Sequence, residues 1–228
     1  VYLKMMKCHF FILRFSKCIH ISVTDEIKNH LIKTFKFKPS RSIVIQNGYL
    51  KTQPVPNEIN HELVNKIKKI DKTQYKIGVF IGTNQKWHGT DTIVKLFSTL
   101  PNTIIMFIGP IPTHSCSNNM LFVNKQNTST INQILDNIDF AIGSFNIQIN
   151  HMKEACPLKV REYLFHGLPV LINYNDMCEK ISDIKPYIYN MQQNPNAHIE
   201  IISHKSNKND LIKAAEKHLS WPTLLKNI

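Results

Sequence analysis

The chain has 228 residues, of which 43% are hydrophobic and 19% are charged, an ordinary composition for a globular protein with one large or two small domains. Its apolar runs are too short for a transmembrane helix. The formal net charge of +12 favours anionic partners, but the basic residues form neither a run nor a stripe with interleaved aromatics, and we therefore expect no nucleic-acid binding.

The first twenty residues place Lys4, Lys7, Arg14 and Lys17 among apolar side chains. The segment lacks the small-residue cleavage site that ends a secretory signal. We expect a packed helix with a basic outer face, and a helix lying on a membrane surface is the alternative.

Strand-like and helix-like segments then alternate. Thr24, followed by Asp25 and Glu26, predicts a helix start, because the hydroxyl caps free N–H groups and the carboxylates lie at the positive end of the helix dipole. An apolar stripe follows at Ile27, Leu31, Ile32 and Phe35. Predicted strands occupy residues 19–23 and 42–46, a linker occupies residues 51–57, and a helix runs from about residue 57 to 69.

A stronger unit begins at residue 75. Continuous apolar runs at residues 75–82, 103–109, 120–123, 138–142 and 168–173 alternate with helical patterns that begin at Thr90 and Thr128. Such runs are typical of buried parallel strands. We therefore predict an α/β fold, a Rossmann-like parallel sheet with helices on both faces, whose ligands bind at the carboxyl ends of the strands.

One segment, residues 154–170, carries most of the chemistry. Pro157 predicts the first residue of a helix, which places Glu154 in the preceding loop and Glu162 on the second turn. The N–H groups of Leu158 and Lys159 would form an anion site at the helix start. Carboxylates suit vicinal hydroxyls, because their oxygens accept two O–H donors. The alternative is a solvated helix in which Lys159 and Glu162 form an ion pair.

The five cysteines are odd in number and form no C-x-x-C pair. This pattern favours a reducing compartment over a disulfide framework or a zinc site. Cys156 precedes the predicted helix, but the sequence supplies no base to activate it as a nucleophile. We expect no metal site, since the histidines occur singly and no D-x-D pattern is present.

Residues 154–170 resemble the Glu-x7-Glu motif of the retaining GT-B glycosyltransferases (family-four-like). Weaker resemblances follow in the same order at residues 21–25, 43–48, 78–82, 87–91, 138–144 and 218–221. The resemblance covers about residues 19–228 and implies the carboxyl-terminal half of a GT-B fold. It implies four parts: 1–45, a remnant of the acceptor-side domain; 46–74, an interdomain linker and helix; 75–206, the nucleotide-sugar-binding domain; and 207–228, helices that pack back toward the amino-terminal domain.

The resemblance also implies site roles. Glu154 would contact the donor sugar and Glu162 the ribose. Near the diphosphate we expect Gly82, Thr83, Lys86, His88, Cys156, Leu158 and Lys159. Thr83 replaces the arginine that the family usually has after the glycine, and His88 stands where a lysine usually precedes a glycine. Val123 and Asn124 would face the base. The catalytic residues are expected in the amino-terminal domain, most of which we expect to be absent.

We therefore expect transfer of a sugar from a nucleoside diphosphate, UDP or GDP, to a hydroxyl of a carbohydrate or lipid-linked acceptor. The reaction would retain the anomeric configuration, need no metal or cofactor, and belong to polysaccharide or glycoconjugate synthesis. The protein would be cytoplasmic or peripheral at a membrane, and would need a separate amino-terminal domain or subunit for full activity. The alternatives are a non-catalytic nucleotide-sugar-binding module, a sugar-nucleotide epimerase and a basic nucleic-acid-binding α/β protein.

Overall fold

The structure is a computed structural model that describes residues 10, 12–13, 15, 17–51, 55–56, 59–111, 118–205 and 207–226. The basic amino-terminal segment, predicted as a packed or membrane-surface helix, lies largely outside these residues. Of that segment, the ring of Phe10 lies 5.0 Å from the ring of Phe35. None of the helices built from the described residues combines the length and the apolar character needed to cross a bilayer.

The main sheet has six parallel strands in the spatial order β10-β8-β6-β3-β4-β5. The strands are β3 (Lys76–Ile81), β4 (Thr103–Ile108), β5 (Met120–Val123), β6 (Phe140–Ile142), β8 (Val170–Ile172) and β10 (Ile188–Asn190). This is the order of a doubly wound Rossmann sheet, in which the chain direction across the sheet reverses between β3 and β6. The carboxyl ends of these two strands therefore define the crevice where such folds bind ligands.

Helices cover both faces of the sheet, and the predicted fold class is confirmed. The helices are α1 (Asp25–Phe35), α2 (His61–Lys68), α3 (Thr90–Phe97), α4 (Thr128–Leu135), α5 (Leu158–Phe165), α6 (Ala197–Glu200), α7 (Lys208–Leu219) and α8 (Trp221–Leu225). Consecutive residues of β3 enter opposite cores: Val79 packs with residues of α2, α4, α5 and α7, whereas Phe80 packs with residues of α3. Both side chains are fully buried.

Two small parallel sheets lie beside the main one. Strand β1 (His20–Ser22) pairs with β2 (Ser42–Val44), and β7 (Glu154–Ala155) pairs with β9 (Asn175–Asp176). The prediction that Glu154 lies in a loop is wrong, because this residue belongs to β7. Neither β9 nor β10 is recognisable from the sequence, since both are short and carry polar residues.

The predicted start of α1 is confirmed. The Thr24 hydroxyl accepts a hydrogen bond from the Ile27 N–H at 3.2 Å. Although the helix has the predicted apolar stripe, none of its residues is fully buried. Its packing is mainly against β1 and β2.

The carboxyl-terminal helices contact the segment that joins β2 to the rest of the chain. The Tyr49 N–H donates to the Leu219 carbonyl at 2.9 Å, and the Trp221 N–H donates to the Tyr49 carbonyl at 3.4 Å. Gly48 is required here, because a Cβ at this position would lie 2.9 Å from atoms of Trp221 and Leu224. The limits of the predicted domains stay a prediction.

Candidate functional site

The amino terminus of α5 lies near the carboxyl edge of the main sheet. The helix begins at Leu158 rather than at Pro157, which was the predicted first residue. Pro157 is instead the N-cap and has an extended backbone, with φ −73° and ψ 140°. Since proline offers no side-chain acceptor, the N–H groups of Leu158 and Lys159 have no hydrogen-bond partner among the described residues. Two free donors therefore remain at the positive end of α5.

The far end of α5 has a sharp stop. The Gly167 N–H donates to the Leu164 carbonyl and the Leu168 N–H donates to the Tyr163 carbonyl, both at 3.0 Å. This is a Schellman motif, and it requires the left-handed φ of +69° that Gly167 adopts. The glycine that follows the predicted helix therefore directs the chain into β8.

A pocket of about 390 Å³ opens at the start of α5. It lies where the loops after β3 and β6 face the beginning of α1, and so it occupies the crevice predicted by the strand order. Its lining is mostly apolar. The lining residues are Val23, Thr24, Ile27, Trp87, His88, Ser144, Ile147, Asn150, Met152, Ala155, Cys156, Pro157, Leu158 and Lys159.

Lys159 supplies a titratable amine to this pocket. Its Nζ lies 3.4 Å from the Ile81 carbonyl oxygen and 4.1 Å from the centroid of the Phe80 ring. No carboxylate of the described residues lies within ion-pair distance, so the alternative pair with Glu162 does not form. Burial lowers the pKa of Lys159 to about 7. An anion in the pocket would stabilise the ammonium, because an opposite charge nearby favours the charged form.

His88 lies beside this lysine. Its Nδ1 contacts the Thr83 carbonyl oxygen, and its ring lies 5.4 Å from the Phe80 ring in an edge-to-face arrangement. Burial, followed by the positive charge of Lys159, lowers the pKa of His88. A neutral imidazole is therefore favoured in the pocket wall. Thr83 and Lys86 are exposed on the same loop and are not part of the pocket lining.

Gly82 and Gly109 bring the loops after β3 and β4 into close contact. A Cβ on Gly109, whose φ is +135°, would lie 1.9 Å from the Gly82 carbonyl oxygen. The Gly82 N–H donates to the Ile108 carbonyl at 3.0 Å. Gly82 is thus held at the end of β3, on the same edge of the sheet as the start of α5.

Glu154 does not face the pocket. Its Oε2 accepts a hydrogen bond from the Glu26 N–H, in the first turn of α1, at 2.8 Å. Its Oε1 lies 3.7 Å from the Lys180 Nζ. The carboxylate therefore joins β7 to the start of α1.

Glu162 is a partly buried residue on the second turn of α5, as predicted. Its Oε1 accepts a hydrogen bond from the Tyr49 hydroxyl at 3.3 Å. Burial raises the pKa of Glu162. Its carboxyl group does not line the 390 Å³ pocket.

The Cys156 thiol is buried and is held by Asn47, which follows β2. The Asn47 N–H donates to Sγ at 3.0 Å, and the Asn47 side-chain amide donates to the Cys156 carbonyl. Burial raises the pKa of Cys156 to about 11. Because the thiolate is the reactive form, this environment opposes a nucleophilic role for Cys156.

Sequence reasoning missed a buried ion pair behind the same helix. The Arg161 Nη2 and the Asp176 Oδ1 lie 2.8 Å apart, and both side chains are fully buried. The guanidinium also donates to the Asn47 carbonyl at 3.2 Å and to the Gln46 side-chain oxygen at 3.0 Å. The signal that could have revealed the pair was the position of Arg161 among Val160, Tyr163 and Leu164, the apolar residues of the same helix.

Val123 and Asn124, predicted near the base, line a different pocket. This second pocket measures about 570 Å³ and lies between α2 and the edge strand β5. Among its other lining residues are Glu62, Lys66 and Gln126. The structure therefore separates these two residues from the pocket that holds Lys159, and their role stays a prediction.

No protein-family model and no curated protein matches the chain. Several solved structures do. WaaG, a glycosyltransferase involved in lipopolysaccharide biosynthesis, is 16% identical, with a TM-score of 0.62 over 90% of this chain and 58% of its own. A glycosyltransferase from Rickettsia africae is 13% identical, with a TM-score of 0.67 over 98% of this chain and 65% of its own.

Anabaena HepE, solved in complex with UDP-glucose, is 11% identical to the chain, with a TM-score of 0.65. The match covers 100% of this chain and 68% of HepE. The chain thus spans about three fifths to two thirds of the length of these relatives. Together with the strand order and the position of the pocket, these matches show that the chain has the Rossmann-like fold found in the GT-B glycosyltransferases.

Proposed function

We propose that this chain is a nucleotide-sugar-dependent glycosyltransferase, or the donor-binding part of one. The observation that carries the proposal is that Lys159 and the free N–H groups lie together at the start of α5, beside the crevice between β3 and β6. These groups form a site for an anion, and the crevice is where this class of sheet binds nucleotides. HepE, which shares the fold, was solved with UDP-glucose.

The diphosphate would lie against Lys159, with the N–H groups of Leu158 and Lys159 as further donors. The neutral ring of His88 would form the adjacent wall. Gly82, which has no side chain, would let the diphosphate approach the end of β3. Thr83 would lie beside it, and Lys86 would add positive charge at the rim. In the reaction these groups would stabilise the charge that develops on the departing diphosphate.

The nucleoside would extend from the diphosphate toward Glu162. The Glu162 carboxylate would accept hydrogen bonds from the ribose hydroxyls, while the Tyr49 hydroxyl would hold one carboxylate oxygen in place. Val123 and Asn124 would approach the base. No metal or cofactor is required by this assignment, because the cationic side chain and the helix start supply the positive charge.

Transfer would replace the bond from the anomeric carbon to the diphosphate by a bond to an acceptor oxygen, with retention of configuration. We expect the acceptor to be a carbohydrate or a lipid-linked sugar in polysaccharide or glycoconjugate synthesis. A separate amino-terminal domain or subunit would hold that acceptor and close the cleft against water.

The second candidate is a non-catalytic nucleotide-sugar-binding module. It is favoured by Glu154, the predicted sugar contact, because its carboxylate is bonded to the start of α1 and lies outside the pocket. A catalytic chain would have to exchange the bond to Glu26 for bonds to the sugar. Sugar transfer by the chain mixed with an amino-terminal partner domain would argue against this candidate, whereas binding without transfer would support it.

The experiment is calorimetric titration and thermal denaturation with UDP, GDP, UDP-glucose and GDP-mannose. A ligand at one hundred times its dissociation constant stabilises the folded state by about 2.7 kcal/mol. Lys159→Met is expected to weaken binding about tenfold or more, and Glu162→Gln is expected to weaken binding of the nucleotide. Lys153→Met is the matched control, since Lys153 is an exposed lysine close in the sequence. No stabilisation by any of these ligands at millimolar concentration would refute the donor site.

A further inference from the structure

A third pocket, lined by three lysines, lies at the amino-terminal edge of the main sheet, opposite the candidate nucleotide site. It measures about 210 Å³ and is lined by residues at the amino-terminal ends of the strands. Lys76 begins β3, Asp139 precedes β6 and Gly167 precedes β8. The remaining lining residues are Ile201, Ile202, His204, Lys205 and Lys208. The candidate nucleotide site is at the carboxyl ends of the same strands, so the two pockets are separate.

The charged groups of this pocket are unbalanced. Three lysines line it, and Asp139 is the one carboxylate in the described lining. That carboxylate is already engaged, because one oxygen accepts from the Ile77 N–H at 2.9 Å and the other lies 3.6 Å from the Lys76 Nζ. Asp139 also attracts Lys208 electrostatically, but no carboxylate of the described residues lies within ion-pair distance of Lys205 or Lys208.

Lys208 is fixed at the pocket by the backbone. Its Nζ donates to the Ile138 carbonyl at 2.8 Å and lies 3.5 Å from the Asp136 carbonyl oxygen. These contacts satisfy part of its hydrogen-bonding capacity but supply no negative charge. Gly167 closes this side of the pocket, and a Cβ there would lie 2.8 Å from the Lys208 carbonyl oxygen.

His204 lies beside these lysines and supplies a further donor in one of its two neutral tautomers. Its Nδ1 is bonded to the Tyr189 hydroxyl, and its Nε2 is buried without a hydrogen-bond partner among the described residues. When the tyrosine hydroxyl donates to Nδ1, the proton of the neutral ring lies on Nε2. A buried N–H without an acceptor is costly, and an acceptor in the pocket would remove that cost.

We infer that this pocket binds a small phosphate-bearing anion. Lys205 contacts no carboxylate of the described residues, Lys208 donates only to backbone carbonyls, and the ring nitrogen of His204 has no partner there. The complementary ligand is therefore rich in acceptors and carries negative charge. A phosphate group meets both requirements, whether it comes from a free metabolite or from a lipid headgroup. The inference does not depend on the proposed nucleotide site, which uses different residues.

The test is an NMR titration of the ¹⁵N-labelled chain with inorganic phosphate, at constant ionic strength maintained with chloride. Saturable shifts at the Gly167 amide and the His204 ring are expected. Lys205→Gln should weaken the phosphate affinity about three- to fivefold, as expected for the loss of one exposed charge. Lys208→Met should weaken it further, and Lys159→Met should leave it unchanged. Lys205→Gln alone decides the case if Lys208→Met fails to fold.

Three results would overturn the inference: linear shifts that never saturate, equal shifts in chloride alone, or loss of the phosphate response only in Lys159→Met. A parallel arm uses vesicles of phosphatidylcholine with and without phosphatidic acid. Cosedimentation that requires phosphatidic acid and falls in Lys205→Gln would support the site and identify a lipid headgroup as its source. Saturable phosphate binding without such cosedimentation would support a soluble ligand.

Discussion

Glu26 of α1 and Glu154 of β7 exchange hydrogen bonds, since each side-chain carboxylate accepts from the backbone N–H of the other residue. The Glu26 N–H donates to the Glu154 Oε2 at 2.8 Å, and the Glu154 N–H donates to the Glu26 Oε2 at 2.7 Å. The same Glu26 oxygen accepts from the Lys153 N–H at 2.8 Å. The Lys180 Nζ also lies 2.6 Å from the Asp25 Oδ2, in the first turn of α1. The first carboxylate of the Glu-x7-Glu segment thus holds the start of α1.

Glu26→Ala is expected to lower the free energy of unfolding by about 1–2 kcal/mol, because two backbone donors lose a charged acceptor. Urea denaturation monitored by circular dichroism measures this change. Glu62→Ala is the control, since Glu62 also lies in the first turn of a helix but is exposed. Equal effects of the two substitutions would show that the exchange with Glu154 contributes nothing beyond the helix dipole.

Arg161→Met is expected to lower the free energy of unfolding by about 3–5 kcal/mol, because it leaves Asp176 as a buried charge without a partner. The double variant with Asp176→Asn should recover part of this loss, since the asparagine keeps the side-chain oxygen that accepts from the Cys178 N–H at 2.9 Å. Thermal and urea denaturation of the single and double variants provide the measurement. A double variant no more stable than Arg161→Met would contradict the charge argument.

The pKa of Lys159, about 7 in the folded chain and 10.5 in a free lysine, predicts a pH dependence of stability. Between these values the unfolded state binds more protons, so the free energy of unfolding should rise as the pH increases from 7 to about 10. In Lys159→Met that rise should be smaller. Identical pH profiles of the two proteins in urea denaturation would contradict the predicted pKa.

The same lysine predicts that nucleotide-sugar binding takes up a proton. At pH 8 the free chain holds Lys159 mostly neutral, and a bound diphosphate would favour its charged form. The affinity for UDP-glucose should therefore fall as the pH rises above 7. Calorimetry in buffers of different ionisation enthalpy measures the uptake, which should approach one proton at pH 8 and disappear in Lys159→Met. Uptake that persists in this variant would assign the proton to another group.

The three cysteines that the structure describes, of the five in the chain, should differ in reactivity. Cys18 is exposed, whereas Cys156 and Cys178 are buried, and burial raises the pKa of both buried thiols. Iodoacetamide at pH 8 should therefore modify Cys18 quickly and the two buried thiols slowly, because the thiolate is the nucleophile. Peptide mass spectrometry after timed quenching measures the three rates, and urea-unfolded protein should lose the difference. Rapid modification of native Cys156 would revive its nucleophilic role.

Local patterns were sufficient for much of the fold. The apolar runs of β3 and β4 predicted buried parallel strands, and the Thr24 hydroxyl predicted the start of α1. The runs of β9 and β10 are only two and three residues long and contain polar residues, so their pairing depends on neighbours distant in the sequence. Pro157 predicted a helix start to within one residue, because its φ suits both the N-cap and the first helical position while ψ is set by the surrounding packing.

For the candidate site, the residue types and their spacing were sufficient to place Lys159 and the free N–H groups of α5 at the carboxyl edge of a parallel sheet, and the resemblance to the GT-B family added His88. The direction of each side chain was not determined in this way. Glu154 turns toward Glu26, and Arg161 turns into a buried pair with Asp176, because each charged group contacts a partner that only the folded chain brings near. Sequence alone therefore determined the strands with long apolar runs, the main helices and the edge of the sheet where they meet. Tertiary structure decided how the short strands pair, which charges are paired and which stay available to a ligand.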